Sequence, residues 1–372
     1  MVPSESKEKI RLVVTGGGTG GHLFPGIAVA EAIMVARPGS EVLFIGTDRQ
    51  VDNQVLGARP FTTATLKCQG LKGKSISAAL LAMVQLPWAM LNAMRIIRSF
   101  KPDLVIGVGG YVTGPVLLAA SLLGIPTCIH EQNSVPGLAN KLLGRFVDRV
   151  FLSIPGSESF FASGRTILTG NPVRTEILAC RDQLTGNNSG PVLVVMGGSQ
   201  GAHRLNSLVT EGLCNSKDAL PESFLVIHQT GRLDEKGVRE RYEKAGVRAE
   251  VAAFFSDMAA VYSQADLLVS RAGATSLAEI CVLGIPSILV PFPYAADNHQ
   301  EHNALMVVER GGAIMYREAE LESSLLASGI LATISDPARM AKMGEKAQEV
   351  SFPDATDLIV KECLAMATSA GA

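Results

Sequence analysis

Short apolar runs alternate along the chain with longer stretches whose apolar positions recur at helical spacing. In the first half the runs are 10–15, 41–45, 61–66, 104–108, 126–130, 147–152 and 166–168. In the second half they are 192–196, 224–228, 250–253, 267–270, 287–291 and 313–315. Most are apolar throughout rather than alternating, which fits strands buried on both faces. Strands alternating with helices predict mostly parallel sheets covered on both sides. Helical patterns are predicted over 24–36, 76–91, a run ending near 213, 301–310, 336–350 and 355–367, with Pro353 between the last two. The turn cluster Gly170-Asn171-Pro172-Val173-Arg174 marks a junction, dividing the chain into domains 1–173 and 174–350. The Gly, Asn and Ser of 184–190 form a loop before the second domain's first strand.

Each half opens on the same device. After the first run come Thr15-Gly16-Gly17-Gly18-Thr19-Gly20-Gly21-His22, then a helical pattern; after run 192–196 come Gly197-Gly198-Ser199-Gln200-Gly201-Ala202-His203, then another. A strand turning through glycines into a helix gathers backbone N–H groups and the positive helix end at one point, suited to a phosphate. The fold class is therefore α/β, with two Rossmann-like doubly wound domains facing across a cleft that would take a nucleotide-linked substrate.

Composition narrows the field. The chain has 372 residues, enough for two cores, and 47% of them are hydrophobic. A net charge of −2 lacks the basic excess of a general nucleic-acid binder. The six cysteines show no CxxC spacing and read as reduced, buried thiols of a cytosolic protein. The first nine residues are polar, without the apolar core of a secretion signal. Run 104–129 is uncharged but broken by glycines and prolines; run 75–94 is interrupted by Gln85, Pro87 and Asn92. Neither has the roughly 20 predominantly apolar residues of a spanning helix.

Several polar groups could carry chemistry. Gly16, Gly18 and Gly21 satisfy G-x-G-x-x-G, and Asp48 follows the second strand, so a nicotinamide-dependent dehydrogenase is one reading. Three stretches point elsewhere. Gly273 to Ser276 are small residues at a helix start, and Glu279 lies one turn in; a carboxylate there can accept from both hydroxyls of a ribose, or simply face solvent. His130-Glu131-Gln132-Asn133 follow a buried strand, where ligands bind in such sheets, although they could equally cap the next helix. Asp297-Asn298-His299-Gln300 suit sugar hydroxyls, or an N-cap.

Taken in order, segments 16–25, 109–115, 130–133, 170–174, 197–202, 273–279 and 297–300 resemble the N-acetylglucosaminyltransferase family of peptidoglycan synthesis (MurG) over nearly the whole chain. The resemblance implies a glycosyltransferase B fold whose terminal helix, within 351–372, packs back on the first domain. It implies transfer of N-acetylglucosamine (GlcNAc) from UDP-GlcNAc to the muramyl C4 hydroxyl of lipid I, giving lipid II, with inversion at the anomeric carbon. By position it puts uracil at Phe255, ribose at Glu279, and the diphosphate at Ser199 and the amides of Ala274, Thr275 and Ser276, with Arg174 close by. Asn133, His299 and Gln300 would contact the donor sugar, with Thr19, Gly20 and Gly21 also on the donor side; some family members carry Gln where His299 stands. Gly17, Gly18, Gly109, Gly110 and Tyr111 would form the acceptor and diphosphate loops.

The residues fit such chemistry. His22 is the candidate base, since imidazole titrates near neutral pH, although it could instead bond a phosphate or the loop backbone. No Asp-x-Asp pair occurs, so no metal or other cofactor is expected and helix N-termini would neutralise the leaving UDP. Ile76, Leu80, Val84 and Trp88 line one face of an apolar helix flanked by Lys72 and Lys74, and by Arg95, Arg98 and Lys101. That pattern suits peripheral attachment to the anionic cytoplasmic face of the bacterial inner membrane, or a helix buried between sheet and neighbours. The expected partners are UDP-GlcNAc, lipid I, that membrane surface and cell-wall synthesis and division proteins, with no nucleic acid. A UDP-GlcNAc epimerase of the same fold and a non-catalytic sugar-nucleotide-binding protein are the rival readings; neither needs an apolar, basic-flanked patch.

Overall fold

The structure is a computed structural model describing residues 9–17, 20–47, 56–57, 59–66, 76–181, 190–198 and 201–369. Contacts divide the chain into two units, Met1–Arg174 with Pro353–Ala372, and Thr175–Phe352.

In the first unit, β1 (Arg11–Gly16), β2 (Glu41–Gly46), β3 (Thr62–Thr65), β4 (Leu104–Gly109), β5 (Thr127–Glu131), β6 (Arg149–Leu152) and β7 (Thr166–Leu168) form one parallel sheet in the order β3-β2-β1-β4-β5-β6-β7. The strand order reverses between β1 and β4. There the register slips, bringing Gly16 opposite Gly109. The central strands β4 and β5 are buried throughout, β4 through an unbroken apolar run and β5 although it carries Thr127, His130 and Glu131.

In the second unit, β8 (Val192–Met196), β9 (Leu225–Gln229), β10 (Ala249–Ala252), β11 (Leu267–Ser270), β12 (Ser287–Leu289) and β13 (Ala313–Met315) form a second parallel sheet, ordered β10-β9-β8-β11-β12-β13. Its order reverses between β8 and β11. The predicted strand 287–291 is shorter, ending at Leu289; Val290 N–H still bonds the Ser270 carbonyl, and the chain then turns at Pro293-Tyr294.

Two helices run well beyond the apolar pattern. The helix predicted over 24–36 spans Gly20–Ala36, so the last glycines of the loop and His22 form its first turn. Glycines carry no side chain, and a side-chain periodicity does not register them. The terminal helix Ala355–Ser369 lays Ile359, Cys363 and Ala367, four residues apart, into one core with Leu23, Ile27 and Ile33 of Gly20–Ala36.

The helix predicted over 76–91 extends from Ile76 to Phe100. Ala89, Ala93 and Ile97 form its buried stripe, which carries it past Pro87. Trp88 (67% exposed), Leu91, Arg95 and Arg98 share an outward stripe. Lys72 and Lys74 lie outside the described residues, and the side chains of Ile76, Leu80 and Val84 are not described. Among the described residues, no helix is long and apolar enough to cross a membrane. Cys128, Cys180, Cys281 and Cys363 are buried free thiols, and Cys214 is a half-buried one.

Candidate active site

In doubly wound sheets ligands bind beyond the carboxyl ends of the strands, where the order reverses. Each unit has one such point, and each carries predicted residues.

In the first unit the point lies between the ends of β1 and β4. Gly110 has φ +92°, and a Cβ on it would fall 2.6 Å from the carbonyl oxygen of Gly17, so the two glycine loops touch backbone to backbone. Gly109 has φ +105° and lies under the imidazole of His22. Tyr111 follows, 51% exposed. Thr113 closes the loop, its hydroxyl donating to the Gly109 carbonyl over 2.9 Å.

β5 delivers the polar cluster 130–133. Gln132, buried, lies 3.2 Å through Oε1 from Nδ1 of His22, and its Nε2 donates to the Val108 carbonyl over 2.9 Å. His130 is buried beside it, with Nδ1 3.1 Å from the same amide nitrogen and Nε2 within 3.2 Å of the Gly170 carbonyl. Burial pushes its imidazole down to about 4, against the opposing pull of that carbonyl. It is neutral at pH 7.

Glu131 holds the loop that follows. Its Oε1 accepts from the backbone and side-chain N–H of Asn133, and its Oε2 from Gly137 N–H and Asn140 Nδ2 at 2.8 Å. Burial raises this carboxyl, and those four donors oppose the rise. Its position fixes Asn133 and also ties down the start of the helix Leu138–Leu143. Arg174 stacks on Phe24, 4.7 Å from the ring centre.

In the second unit the point lies between β8 and β11. After β11, Arg271 is buried and ion-pairs with Glu318, while Nη1 donates to the carbonyls of Val290 and Pro291 at 3.0 and 3.3 Å. It ties the two loops together. Gly273 opens the helix Ala274–Leu283 without a side-chain cap, and a Cβ on it would meet open space. The amides of Ala274, Thr275 and Ser276 belong to that first turn, where no intrahelical acceptor exists.

Glu279 is buried, so the solvent-facing alternative is excluded. Its Oε2 accepts from the Tyr262 hydroxyl over 2.9 Å. Gln300 accepts through Oε1 from Phe292 N–H at 2.9 Å, which leaves Nε2 as the donor a ligand would meet; His299 Nδ1 lies 2.7 Å from the Ala296 carbonyl. Asp297 and Asn298 both adopt φ +52°, and Asn298 makes no side-chain cap: its amide donates to Glu301 instead. Phe255 is half-buried, its N–H held by Gln229 Oε1 at 3.1 Å.

Gly18, Thr19, Asp48 and Ser199 lie outside the described residues. Sequence reasoning missed Tyr262, which carries no local signal, and Arg271, whose lone charge among small and apolar residues was such a signal. Among the described residues, no group of three or more His, Cys, Asp or Glu side chains is placed to hold a metal ion.

The sequence profiles of the Glycosyltransferase family 28 N-terminal and C-terminal domains match residues 12–152 and 192–359. The chain is 46% identical over 359 residues to the UDP-N-acetylglucosamine--N-acetylmuramyl-(pentapeptide) pyrophosphoryl-undecaprenol N-acetylglucosamine transferase of Desulfotalea psychrophila, covering 96% of this chain and 97% of that one. The chain belongs to the MurG family of glycosyltransferases. A crystal structure of Acinetobacter baumannii MurG is 29% identical with TM-score 0.74, covering 95% of this chain and 99% of that one. The two Rossmann-like sheets are therefore those of the glycosyltransferase B fold. A UDP-GlcNAc 2-epimerase from Neisseria meningitidis, bound to UDP-GlcNAc, has TM-score 0.66 at 16% identity over 96% of this chain and all (100%) of that one. That likeness is one of fold alone.

Proposed function

We propose that this chain transfers GlcNAc from UDP-GlcNAc to the C4 hydroxyl of lipid I, the undecaprenyl-diphosphate-linked MurNAc-pentapeptide, with inversion, to make lipid II. The observation that carries this reading is near full-length identity to transferases of that name. The placement of polar groups and glycine loops at the reversal point of each sheet supports it.

In this reading His22 takes the proton of the acceptor hydroxyl. The freed oxygen forms the bond to the anomeric carbon, the bond from that carbon to the UDP oxygen breaks, and UDP leaves with the electron pair. The amides of Ala274, Thr275 and Ser276, with Ser199 and Arg174, neutralise the charge that grows on UDP. Fixed donors of this kind lower the barrier by roughly 2.7–4 kcal/mol each. Glu279 binds the ribose, Phe255 lies at the uracil, and Asn133, His299 and Gln300 hold the sugar, with Thr19, Gly20 and Gly21 beside it. Gly17, Gly18, Gly109, Gly110 and Tyr111 receive the acceptor.

The acceptor is a lipid, and the stripe of Trp88, Leu91, Arg95 and Arg98 suits a peripheral site on the anionic cytoplasmic leaflet. The neighbouring Ile76, Leu80, Val84, Lys72 and Lys74 extend that patch in sequence. The test is UDP release from UDP-GlcNAc in EDTA, with and without a short-chain lipid I analogue. Acceptor-dependent release that survives EDTA is expected. Release without acceptor would favour an epimerase or hydrolase instead.

A further inference from the structure

We propose that Gln132 is a positioning residue that holds His22 in its Nδ1–H tautomer, so that Nε2 presents its lone pair to the acceptor hydroxyl; this rests on His22 being the base. The surroundings of the Gln132 amide fix which way it faces. Its Nε2 lies 2.9 Å from the Val108 carbonyl and 3.2 Å from the His130 carbonyl, and carbonyls only accept. Turning the amide over would set Oε1 against two carbonyl oxygens. The nitrogen must therefore face them, and Oε1 must face His22.

An amide oxygen cannot donate, so His22 Nδ1, 3.2 Å away, carries the proton. In a neutral imidazole the other nitrogen then carries no proton. The second imidazole continues the chain with the same polarity. His130 Nδ1 accepts from Gln132 Nε2, so its proton lies on Nε2, which meets the Gly170 carbonyl at 3.2 Å and the Ser153 hydroxyl at 3.0 Å. The chain runs from His22 through Gln132 and His130 to the Gly170 carbonyl after β7, and the Val108 carbonyl, within β4, fixes the amide at its middle. These two backbone carbonyls set the direction of every proton along it.

Gln132 is 2% exposed, which keeps water from competing for His22 Nδ1 on that side. Gly109 closes another side, since a Cβ there would fall 2.7 Å from the same nitrogen. A neutral amide orients the ring without adding charge. It differs in this from the carboxylate that orients the histidine of a hydrolytic triad.

The experiment reads the tautomer directly. Two-bond proton–nitrogen spectra of the full chain carrying nitrogen-15 histidine, with the His22 signals identified by their loss in His22→Ala, should show Nδ1–H at His22. Nε2–H there in the parent protein overturns the proposal without any change at Gln132. Gln132→Leu should mix the tautomers and lower kcat on the order of 10²-fold, with donor KM near the parent value. His22 keeping Nδ1–H in that variant overturns the role of Gln132. A changed tautomer with unchanged kcat overturns it differently, by removing His22 as the base.

Discussion

Tyr262 donates its hydroxyl to Glu279 over 2.9 Å, and both side chains are buried. The bond joins the helix Met258–Tyr262 to the helix Ala274–Leu283. It aims the carboxylate before any ligand arrives, which lowers the ordering cost of binding. A charge-assisted bond to a ribose hydroxyl is worth roughly 1.5–3 kcal/mol. Glu279→Ala should therefore weaken UDP binding by about 10- to 150-fold. Tyr262→Phe should weaken it less, because the carboxylate remains but is less well held. Titration calorimetry with UDP checks both, and undiminished affinity in Glu279→Ala would remove the ribose assignment.

Gly109 makes a sharper test of the first unit. A methyl group there meets the His22 ring at 2.7 and 2.9 Å, on a backbone with φ +105° that side chains rarely adopt. The ring must move, and a displaced base forfeits up to the roughly 10²–10⁴-fold that a positioned one supplies. Gly109→Ala should lose kcat by at least 10²-fold by that measure while UDP affinity, carried by the second unit, is kept. Steady-state kinetics beside UDP titration separates the two. Near-normal turnover would mean that the His22 ring position does not matter.

Much of this arrangement is legible in the sequence, for physical reasons. Unbroken runs such as 104–108 and 192–196 announce buried parallel strands, and a glycine loop after such a run announces a ligand site. The contact of His22 with Gln132 is not legible, since 110 residues separate them and only the adjacency of β1, β4 and β5 brings them together. The same holds for Tyr262 and Glu279, which sit on different helices. Helix limits failed where glycine or proline interrupts periodicity, at Gly20 and past Pro87, because packing rather than pattern decides those ends. The burial of Glu279 comes with its cover by Tyr262 of a separate helix, which one carboxylate in a run of small residues does not reveal.

The two buried histidines give each unit its own response to acid. Burial holds His130 down at about 4 and, in the second unit, His228 down at about 3. Both lie below the unfolded value near 6.5, so the unfolded chain takes up the proton first. Their contribution to stability is full above pH 6.5 and is lost as pH falls toward 4 and 3. The slope approaches about 1.4 kcal/mol per pH unit for each unit in that window. His228 also binds Tyr242 Oη at 3.1 Å and Asn206 Oδ1 at 3.2 Å, so His228→Gln will lower stability at pH 7. It should nevertheless flatten the acid slope of the second unit. Urea unfolding from pH 7 to 4.5, with unit-specific probes, measures both effects; an equal slope in the variant would mean that other groups set the acid response.

The exposed stripe of the helix Ile76–Phe100 predicts how the protein meets a membrane. Trp88, Leu91, Arg95 and Arg98 recur at spacings of three and four and so share one face, opposite Ala89, Ala93 and Ile97. A basic residue near an anionic leaflet contributes about 1 kcal/mol, or roughly five-fold in binding. Arg95→Glu with Arg98→Glu should then lower co-sedimentation with phosphatidylglycerol vesicles by at least 25-fold on the order of those two factors, and less so at high salt. Trp88→Ser should weaken binding at every salt concentration, because it removes apolar area rather than charge. Turnover of a water-soluble lipid I analogue should be kept in both variants, while turnover of vesicle-borne lipid I falls in step with binding. Vesicle binding that ignores both substitutions would assign membrane attachment to another surface and leave this stripe as the outer face of a crossover helix.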